Sequence, residues 1–204
     1  MERRTIQVGT FAANCTVLSA GGRAWVIDPG AEPERIAAML SEMRLDPVAI
    51  LLTHSHFDHI CGVCALQKAY PGLPVYVHPA DEPAFAHPLN QYPPAYVQTA
   101  RPDFIHDVRT LPDSDVPFSV RVIETPGHTP GGVCYHLPDD ALLISGDTLF
   151  AGSIGRTDLP GGDMAALMAS LKKLAALPRE TVVVPGHGPE TTIGEECRSN
   201  PFLA

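Results

Sequence analysis

The sequence lacks the features of a membrane or secreted protein. No uninterrupted apolar run approaches the ~20 residues that a membrane-spanning helix needs. The start, Met1-Glu2-Arg3-Arg4, is not followed by an apolar signal core or a small-residue cleavage site. The five cysteines are irregularly spaced and do not form a disulfide framework. We therefore expect a cytoplasmic protein with reduced thiols and no membrane partner.

Positive charge is also scarce. The chain has 14 Lys+Arg against 23 Asp+Glu, a formal net charge of −9, and Lys172-Lys173 is the only basic pair beyond the N-terminus. An acidic chain has no long-range attraction for phosphate backbones, so we expect no nucleic-acid partner. The glycines are not followed by Lys-Ser or Lys-Thr, which excludes a phosphate-binding loop of that type.

The apolar content is sufficient for a sizeable core, since 45% of the 204 residues are hydrophobic and 18% are charged. Apolar residues at helical spacing predict a helix over about 33–44, one through 66 and 69, and one after Asp163, a plausible N-cap. This mixed order in two comparable halves favours an α+β sandwich of mixed sheets with helices on the outer faces. The predicted strands are 15–19, 23–27, 48–52, 75–77, 118–123, 133–137, 141–144 and 181–184.

Between residues 79 and 117 the composition changes. Prolines recur at positions 79, 83, 88, 93, 94, 102, 112 and 117, which leaves room for only short helical or turn pieces. Four aromatic residues, Phe85, Tyr92, Tyr96 and Phe104, make the segment too apolar for a flexible linker. We expect this insertion to pack as a lid or wall of a pocket.

Four predicted strands each end within a few residues of side chains that can bind a metal. These side chains are His54, His56, Asp58 and His59 after 49–52, His128 after 120–123, Asp147 after 142–144, and His187 after 182–184. Loops at one edge of a sheet converge if their strands are neighbours, and ligand sites form at such edges. The sequence therefore predicts one cluster of metal ligands.

The spacing His-x-His-x-Asp-His over residues 54–59 favours two neighbouring metals over one. Imidazole and carboxylate suit zinc, manganese or iron, and the absence of cysteine disfavours a closed structural zinc site. Two cations ~3.5–4 Å apart, bridged by a carboxylate, activate a bridging water. We therefore predict two divalent metal ions per chain, zinc first, with iron and manganese as alternatives.

Other candidate residues fit ordinary structural roles better. Cys61 and Cys64 form a C-x-x-C on a predicted helix, without the strand context of a redox pair, and we interpret them as small core residues. Four histidines are predicted to be surface or satisfied core residues, namely His78, His87, His106 and His136.

The Thr-His-x-His-x-Asp-His motif and the downstream order His, Asp, His resemble the metallo-β-lactamase superfamily over essentially the whole chain. This resemblance implies a four-layer αβ/βα sandwich of two mixed sheets and one domain over 1–204. It also implies a first metal site of His54, His56 and His128, a second of Asp58, His59 and His187, and a bridging Asp147, with Asp58 and Asp147 catalytic. Asp28 resembles the family's buried aspartate that steadies the histidine loop, and the alternative is an ordinary Asp-Pro-Gly turn.

Residues 152–163 and 185–203 resemble the short bacterial glyoxalase II-like hydrolases, which are similar to hydroxyacylglutathione hydrolase. This implies hydrolysis of S-D-lactoylglutathione or a related thioester to a thiol and a carboxylic acid, through a hydroxide that bridges the metals. Arg156 stands where this family places a basic substrate contact, with a surface ion pair as the alternative. The chain stops soon after His187, so we expect no C-terminal helical domain for glutathione.

Several other functions share parts of this pattern. Asp147 argues against β-lactam hydrolysis, because the true β-lactamases of the superfamily lack an aspartate at the bridging position. An iron-dependent persulfide dioxygenase is the leading alternative, since that group shares the Gly-Arg-Thr-Asp of residues 155–158. A lactonase and a non-catalytic metal-binding module are weaker alternatives. We expect a small-molecule thioester as the partner, and a monomer or small homo-oligomer.

Overall fold

The computed structural model describes residues 1–87, 90, 100–112 and 118–203, which fall into two compact units, Met1–Phe118 and Ser119–Ala204. Each unit contains a mixed β-sheet and helices, so the predicted α+β class with two mixed sheets is confirmed. The assignment of 1–204 to a single domain stays a prediction. The predicted lid over 79–117 falls partly on 88, 89, 91–99 and 113–117, which lie outside the described residues.

The first unit contains a six-stranded sheet in the order β1-β2-β3-β4-β5-β6. Its strands are β1 (Glu2–Val8), β2 (Ala13–Ala20), β3 (Arg23–Ile27), β4 (Asp46–Leu51), β5 (Val75–Val77) and β6 (Ile105–Asp107). The first three pair antiparallel, and β3 to β6 pair parallel. Because β3 and β4 are parallel neighbours, the segments that follow them leave the sheet at the same edge.

Local sequence explains the connections of this sheet. Gly21 and Gly22 have positive φ of 60° and 80°, as the predicted hairpin between β2 and β3 requires. The helices are α1 (Pro33–Glu42), α2 (Phe57–Ile60) and α3 (Val63–Ala69). α1 begins at the predicted proline, buries Ile36, Met39 and Leu40, and ends two residues earlier than predicted.

The second unit contains a five-stranded sheet in the order β13-β12-β9-β8-β7 and a separate hairpin of β10 and β11. Its strands are β7 (Arg121–Glu124), β8 (Val133–Leu137), β9 (Leu142–Gly146), β10 (Leu149–Phe150), β11 (Ser153–Ile154), β12 (Val182–Pro185) and β13 (Thr191–Thr192). β9 and β12 are parallel, so the residues after them leave at one edge.

Two helices complete the second unit, α4 (Met164–Ala175) and α5 (Ile193–Ser199). The Asp163 side chain accepts a hydrogen bond from the Ala166 amide, which confirms the predicted N-cap. α4 buries Leu167, Leu171 and Leu174 against the core. At 12 residues α4 is the longest described helix, and no helix in the described part of the chain is long and apolar enough to cross a membrane.

The structure differs from the sequence prediction mainly in short or edge elements. The elements that were not predicted are β1, β6, β10, β11, β13, α2 and α5. β6 lies inside the proline-rich segment, where three residues are too few to show an alternating pattern. The strand predicted from Phe118 begins only at Arg121, and the Phe118 ring instead packs edge-on against Trp25, with centroids 4.8 Å apart.

Candidate metal centre

Residues 53–59, here called the histidine loop, run from the end of β4 into the first turn of α2 and carry four predicted ligands of the first unit. The His54 ring centroid lies 4.8 Å from that of His56 and 4.2 Å from that of His59. The Asp58 Oδ2 atom lies 4.0 Å from His59 Nε2. The loop thus brings three imidazoles and one carboxylate together.

Asp28, which directly follows β3, lies behind this loop. Its Oδ1 accepts a hydrogen bond from the Thr53 amide at 2.8 Å, and its Oδ2 accepts one from the Thr53 hydroxyl at 2.6 Å. Asp28 Oδ2 also lies 3.0 Å from His59 Nδ1. The buried carboxylate therefore makes three contacts with the histidine loop, and Asp28 does more than form a turn.

These contacts fix which ring nitrogen faces outward. The Thr53 hydroxyl donates its hydrogen to Asp28, so at 3.0 Å from His54 Nδ1 it can only accept a hydrogen bond from that nitrogen. The His59 Nδ1–H likewise donates to Asp28. Both rings therefore keep the lone pair on Nε2, which is the arrangement of metal-binding histidines with supporting hydrogen bonds.

Two buried side chains that sequence reasoning missed hold the middle of the loop. Asp81 Oδ2 accepts a hydrogen bond from the Ser55 amide at 3.1 Å, and Asn90 Nδ2 donates to the Ser55 carbonyl oxygen. Asp81 and Asn90 are only 2% and 5% exposed. Both lie in the proline-rich segment, and nothing in their local sequence marks them as partners of Ser55.

The turn after Asp28 packs against the backbone of the histidine loop. A Cβ atom on Gly30 would lie 1.5 Å from the Asp58 carbonyl oxygen. The Gly62 amide donates to the Pro29 carbonyl oxygen at 2.8 Å. This close approach requires glycine at position 30, and it explains the Asp-Pro-Gly sequence better than a free turn does.

The second unit carries the other three predicted ligands, His128, Asp147 and His187, here called the second donor cluster. They follow β7, β9 and β12 respectively. Asp147 Oδ2 lies 3.5 Å from His128 Nε2 and 3.7 Å from His187 Nε2. One carboxylate oxygen thus lies close to two imidazole nitrogens, a separation that suits ligands around a cation.

His128 is oriented by a backbone group. Its Nδ1 lies 2.8 Å from the Arg156 carbonyl oxygen, which can only accept, so Nδ1 carries the proton and Nε2 faces Asp147. The side chain of Arg156 is exposed, and its Nε and Nη2 atoms each lie 2.7 Å from a carboxylate oxygen of Asp158. This pairing raises the pKa of Arg156 and lowers the pKa of Asp158 to about 2. The role of Arg156 in substrate binding stays a prediction.

The remaining candidates lie in varied environments. His136 is buried in β8, and desolvation, followed by the charge of Arg121, lowers its pKa. The prediction that Cys61 and Cys64 are core residues is wrong, since both are only partly buried. Burial, followed by the charge of Asp58, still raises the pKa of Cys61 to about 11.

Comparison with known proteins agrees with the motif. The model of the metallo-beta-lactamase superfamily matches residues 8–187. The chain is 40% identical to the "Probable metallo-hydrolase YqgX" of Bacillus subtilis, over 100% of this chain and 98% of that protein. It is 32% identical to the "Hydroxyacylglutathione hydrolase GloC" of Haemophilus influenzae, again over 100% of this chain and 98% of the relative.

Solved structures show the same similarity. A structure described as BLEG-1 B3 metallo-beta-lactamase is 40% identical, with a TM-score of 0.90 and 99% of both chains covered. TTHA1623 in a di-iron-bound form is 44% identical, with a TM-score of 0.86, 98% of this chain and 100% of that chain covered. The family model matches most of the chain, relatives of 40% and 32% identity align with all of it, and the His/Asp donors follow strand ends. The chain therefore belongs to the metallo-β-lactamase superfamily.

Proposed function

We propose that this protein is a metal-dependent thioester hydrolase of the glyoxalase II-like type. The position of Asp147 Oδ2, close to Nε2 of both His128 and His187, carries the metal-dependent part of the proposal. The thioester part rests on the full-length similarity to a hydroxyacylglutathione hydrolase. Its substrate is S-D-lactoylglutathione or a related small thioester, which is cleaved to a thiol and a carboxylic acid.

The proposed ligand set is the one that the family resemblance implies. It consists of His54, His56, Asp58, His59, His128, Asp147 and His187. Its donors are imidazole nitrogens and carboxylate oxygens without a thiolate, a set that fits zinc, iron or manganese. Zinc is our first choice, and iron is the stronger alternative because a similar protein has been solved with two irons.

Divalent cations at such donors activate water and stabilise negative charge on a carbonyl oxygen. The chain's own residues prepare the donors for this. Asp28 and Thr53 hold protons at Nδ1 of His59 and His54, and the Arg156 carbonyl does so for His128. We propose Asp58 and Asp147 as the catalytic carboxylates, whose oxygens orient the attacking water. A thiol with a pKa of about 8.5 leaves without a strong general acid.

The test pairs metal analysis of the purified protein with hydrolysis of S-D-lactoylglutathione, followed as thiol release. We expect metal-dependent turnover, and Asp147→Asn should lower kcat/KM by about 100-fold or more. Asp139→Asn, an exposed carboxylate of the same unit, is the matched control and should leave kcat/KM unchanged. A metal-loaded protein that releases no thiol from thioesters would rule out the proposed substrate class.

β-Lactam hydrolysis is a second candidate, because a protein of 40% identity and TM-score 0.90 is described as a B3 metallo-beta-lactamase. The aspartate at position 147 argues against it by the family resemblance. Nitrocefin should be assayed beside the thioester on the same metal-loaded sample. Faster turnover of nitrocefin would reverse the order of the two candidates.

The persulfide dioxygenase alternative predicts a different reaction and a different metal content. Oxygen consumption with glutathione persulfide, together with one iron per chain, would favour it over hydrolysis. A cytoplasmic location and a monomer or small homo-oligomer stay predictions, and size-exclusion chromatography measures the latter.

A further inference from the structure

The hairpin of β10 and β11 connects to the second donor cluster on both sides. Asp147 lies two residues before β10, and Gly155 directly follows β11. A Cβ on Gly155 would lie 1.9 Å from the Asp147 carbonyl oxygen and 3.2 Å from His128 Cβ. The next carbonyl, that of Arg156, accepts the hydrogen bond from His128 Nδ1. A shift of this hairpin would therefore displace the group that orients His128.

Two buried side chains near residue 200 form hydrogen bonds with the backbone of this hairpin, at its turn and at the start of β11. Glu196 Oε2 accepts a hydrogen bond from the Gly152 amide at 2.9 Å, and Asn200 Nδ2 donates to the Ser153 carbonyl oxygen at 3.0 Å. Asn200 Nδ2 also donates to Glu196 Oε2 at 2.7 Å. Glu196 is 1% exposed and Asn200 is 0% exposed.

The holding residues are themselves fixed. The Thr191 hydroxyl donates to Glu196 Oε1 at 2.7 Å, and the Phe202 amide donates to Asn200 Oδ1 at 3.0 Å. A buried carboxylate costs free energy unless it is fully hydrogen-bonded, and apolar contacts could attach a helix to a hairpin without that cost. What these hydrogen bonds add is direction, because Glu196 fixes the Gly152 amide in place and Asn200 fixes the Ser153 carbonyl.

We propose that Glu196 and Asn200 are positioning residues, which keep the Arg156 carbonyl against His128 and thereby strengthen metal binding by the second donor cluster. The inference rests on the metal centre of the proposed function and is independent of the thioester substrate. It also gives Asn200, the first residue of the Asn-Pro-Phe-Leu sequence at 200–203, a role that the ligand motif alone does not supply.

The test measures how quickly the protein, loaded with Zn²⁺, loses the metal to an excess of a chromogenic chelator. Glu196→Ala and Asn200→Ala remove one hairpin contact each and should speed release by about 10- to 100-fold. Glu196→Gln keeps an oxygen for Gly152 and Asn200, so its release rate should stay within about threefold of the wild type. Asn200→Ala keeps the hydrogen bond between the Gly152 amide and Glu196, and it replaces Glu196→Ala as the test variant if Glu196→Ala does not fold.

A purely structural role is separated by Leu174→Ala, which shortens a buried apolar side chain of α4 and removes no side-chain hydrogen bond to the hairpin or to the donors. Leu174→Ala should lower Tm while releasing Zn²⁺ at the wild-type rate. Equal release rates for Leu174→Ala and Glu196→Ala at matched loss of Tm would overturn the proposal. Release at the wild-type rate by both Glu196→Ala and Asn200→Ala would overturn it as well. Since release is measured without substrate, a failed thioester assay leaves this result standing.

Discussion

The Asp28 carboxylate lies directly behind the His59 ring, with Oδ2 3.0 Å from Nδ1 and both side chains buried. The same oxygen accepts a hydrogen bond from the Thr53 hydroxyl. Asp28 also has a φ of 50°, in the left-handed region that aspartate and asparagine tolerate better than most residues. Asp28→Asn therefore keeps the backbone conformation and changes only the hydrogen bonding.

We expect Asp28→Asn to weaken metal binding by about 10- to 100-fold, because an amide nitrogen in place of Oδ2 would face two donors. Competition with a chelator for the metal measures this effect. Asp46→Asn, an exposed carboxylate at the start of β4, is the control and should bind metal as the wild type does. Equal metal affinity of the two variants would show that Asp28 does not support the histidine loop.

The close approach of Gly30 to the Asp58 backbone predicts a large loss of stability for Gly30→Ala. The added Cβ would lie 1.5 Å from a carbonyl oxygen, so the turn or the loop must move. We expect the free energy of unfolding to fall by about 3 kcal/mol or more, measured by urea denaturation. Gly21→Ala, at a φ of 60° with nothing within 4 Å, should lose only about 1–2 kcal/mol from backbone strain. A smaller loss for Gly30→Ala than for Gly21→Ala would contradict this packing.

The exposed pair of Arg156 and Asp158 has a counterpart in Arg109 and Asp107, which are also two residues apart and bidentate, with Arg109 exposed and Asp107 half-buried. If Arg156 binds a substrate carboxylate, Arg156→Ala should raise KM by about tenfold. Arg109→Ala removes the same kind of ion pair and should leave KM unchanged. Steady-state kinetics on the thioester measures the KM of both variants. Equal KM values for Arg156→Ala and Arg109→Ala would assign Arg156 to a surface ion pair alone.

His136 predicts a pH dependence of stability. Desolvation, followed by the charge of Arg121, lowers its pKa in the folded state below the value of about 6.5 in the unfolded chain. Between the two pKa values the unfolded state binds more protons, so the free energy of unfolding rises with pH. The contribution is complete above about pH 6.5 and is lost as pH falls through the folded pKa.

Replacing His136 by glutamine removes this titration. The difference in the free energy of unfolding between pH 8 and pH 5, measured by urea denaturation, should be smaller for His136→Gln than for the wild type. His87→Gln, an exposed histidine, is the control and should keep the wild-type difference. An unchanged difference in His136→Gln would mean that other groups govern the acid sensitivity.

The sequence alone determined the chemistry of the donors and most of the longer elements. The imidazole and carboxylate donors are identified directly from the residue types, and the apolar runs that precede them mark strand ends. Asp163 as N-cap, Gly21-Gly22 as a hairpin turn and the strand Val133–Leu137 all follow from local residue properties, and the structure has them as predicted.

Only the tertiary structure decided what supports the donors. The Asp81 contact with Ser55 joins residues 26 positions apart, and the His128 contact with the Arg156 carbonyl joins residues 28 apart. A backbone carbonyl has no residue signature, and strands of two or three residues, such as β10 and β11, show no period. Which ring nitrogen holds the proton therefore depends on groups that meet only after the chain has folded, because hydrogen bonds act over about 3 Å in space.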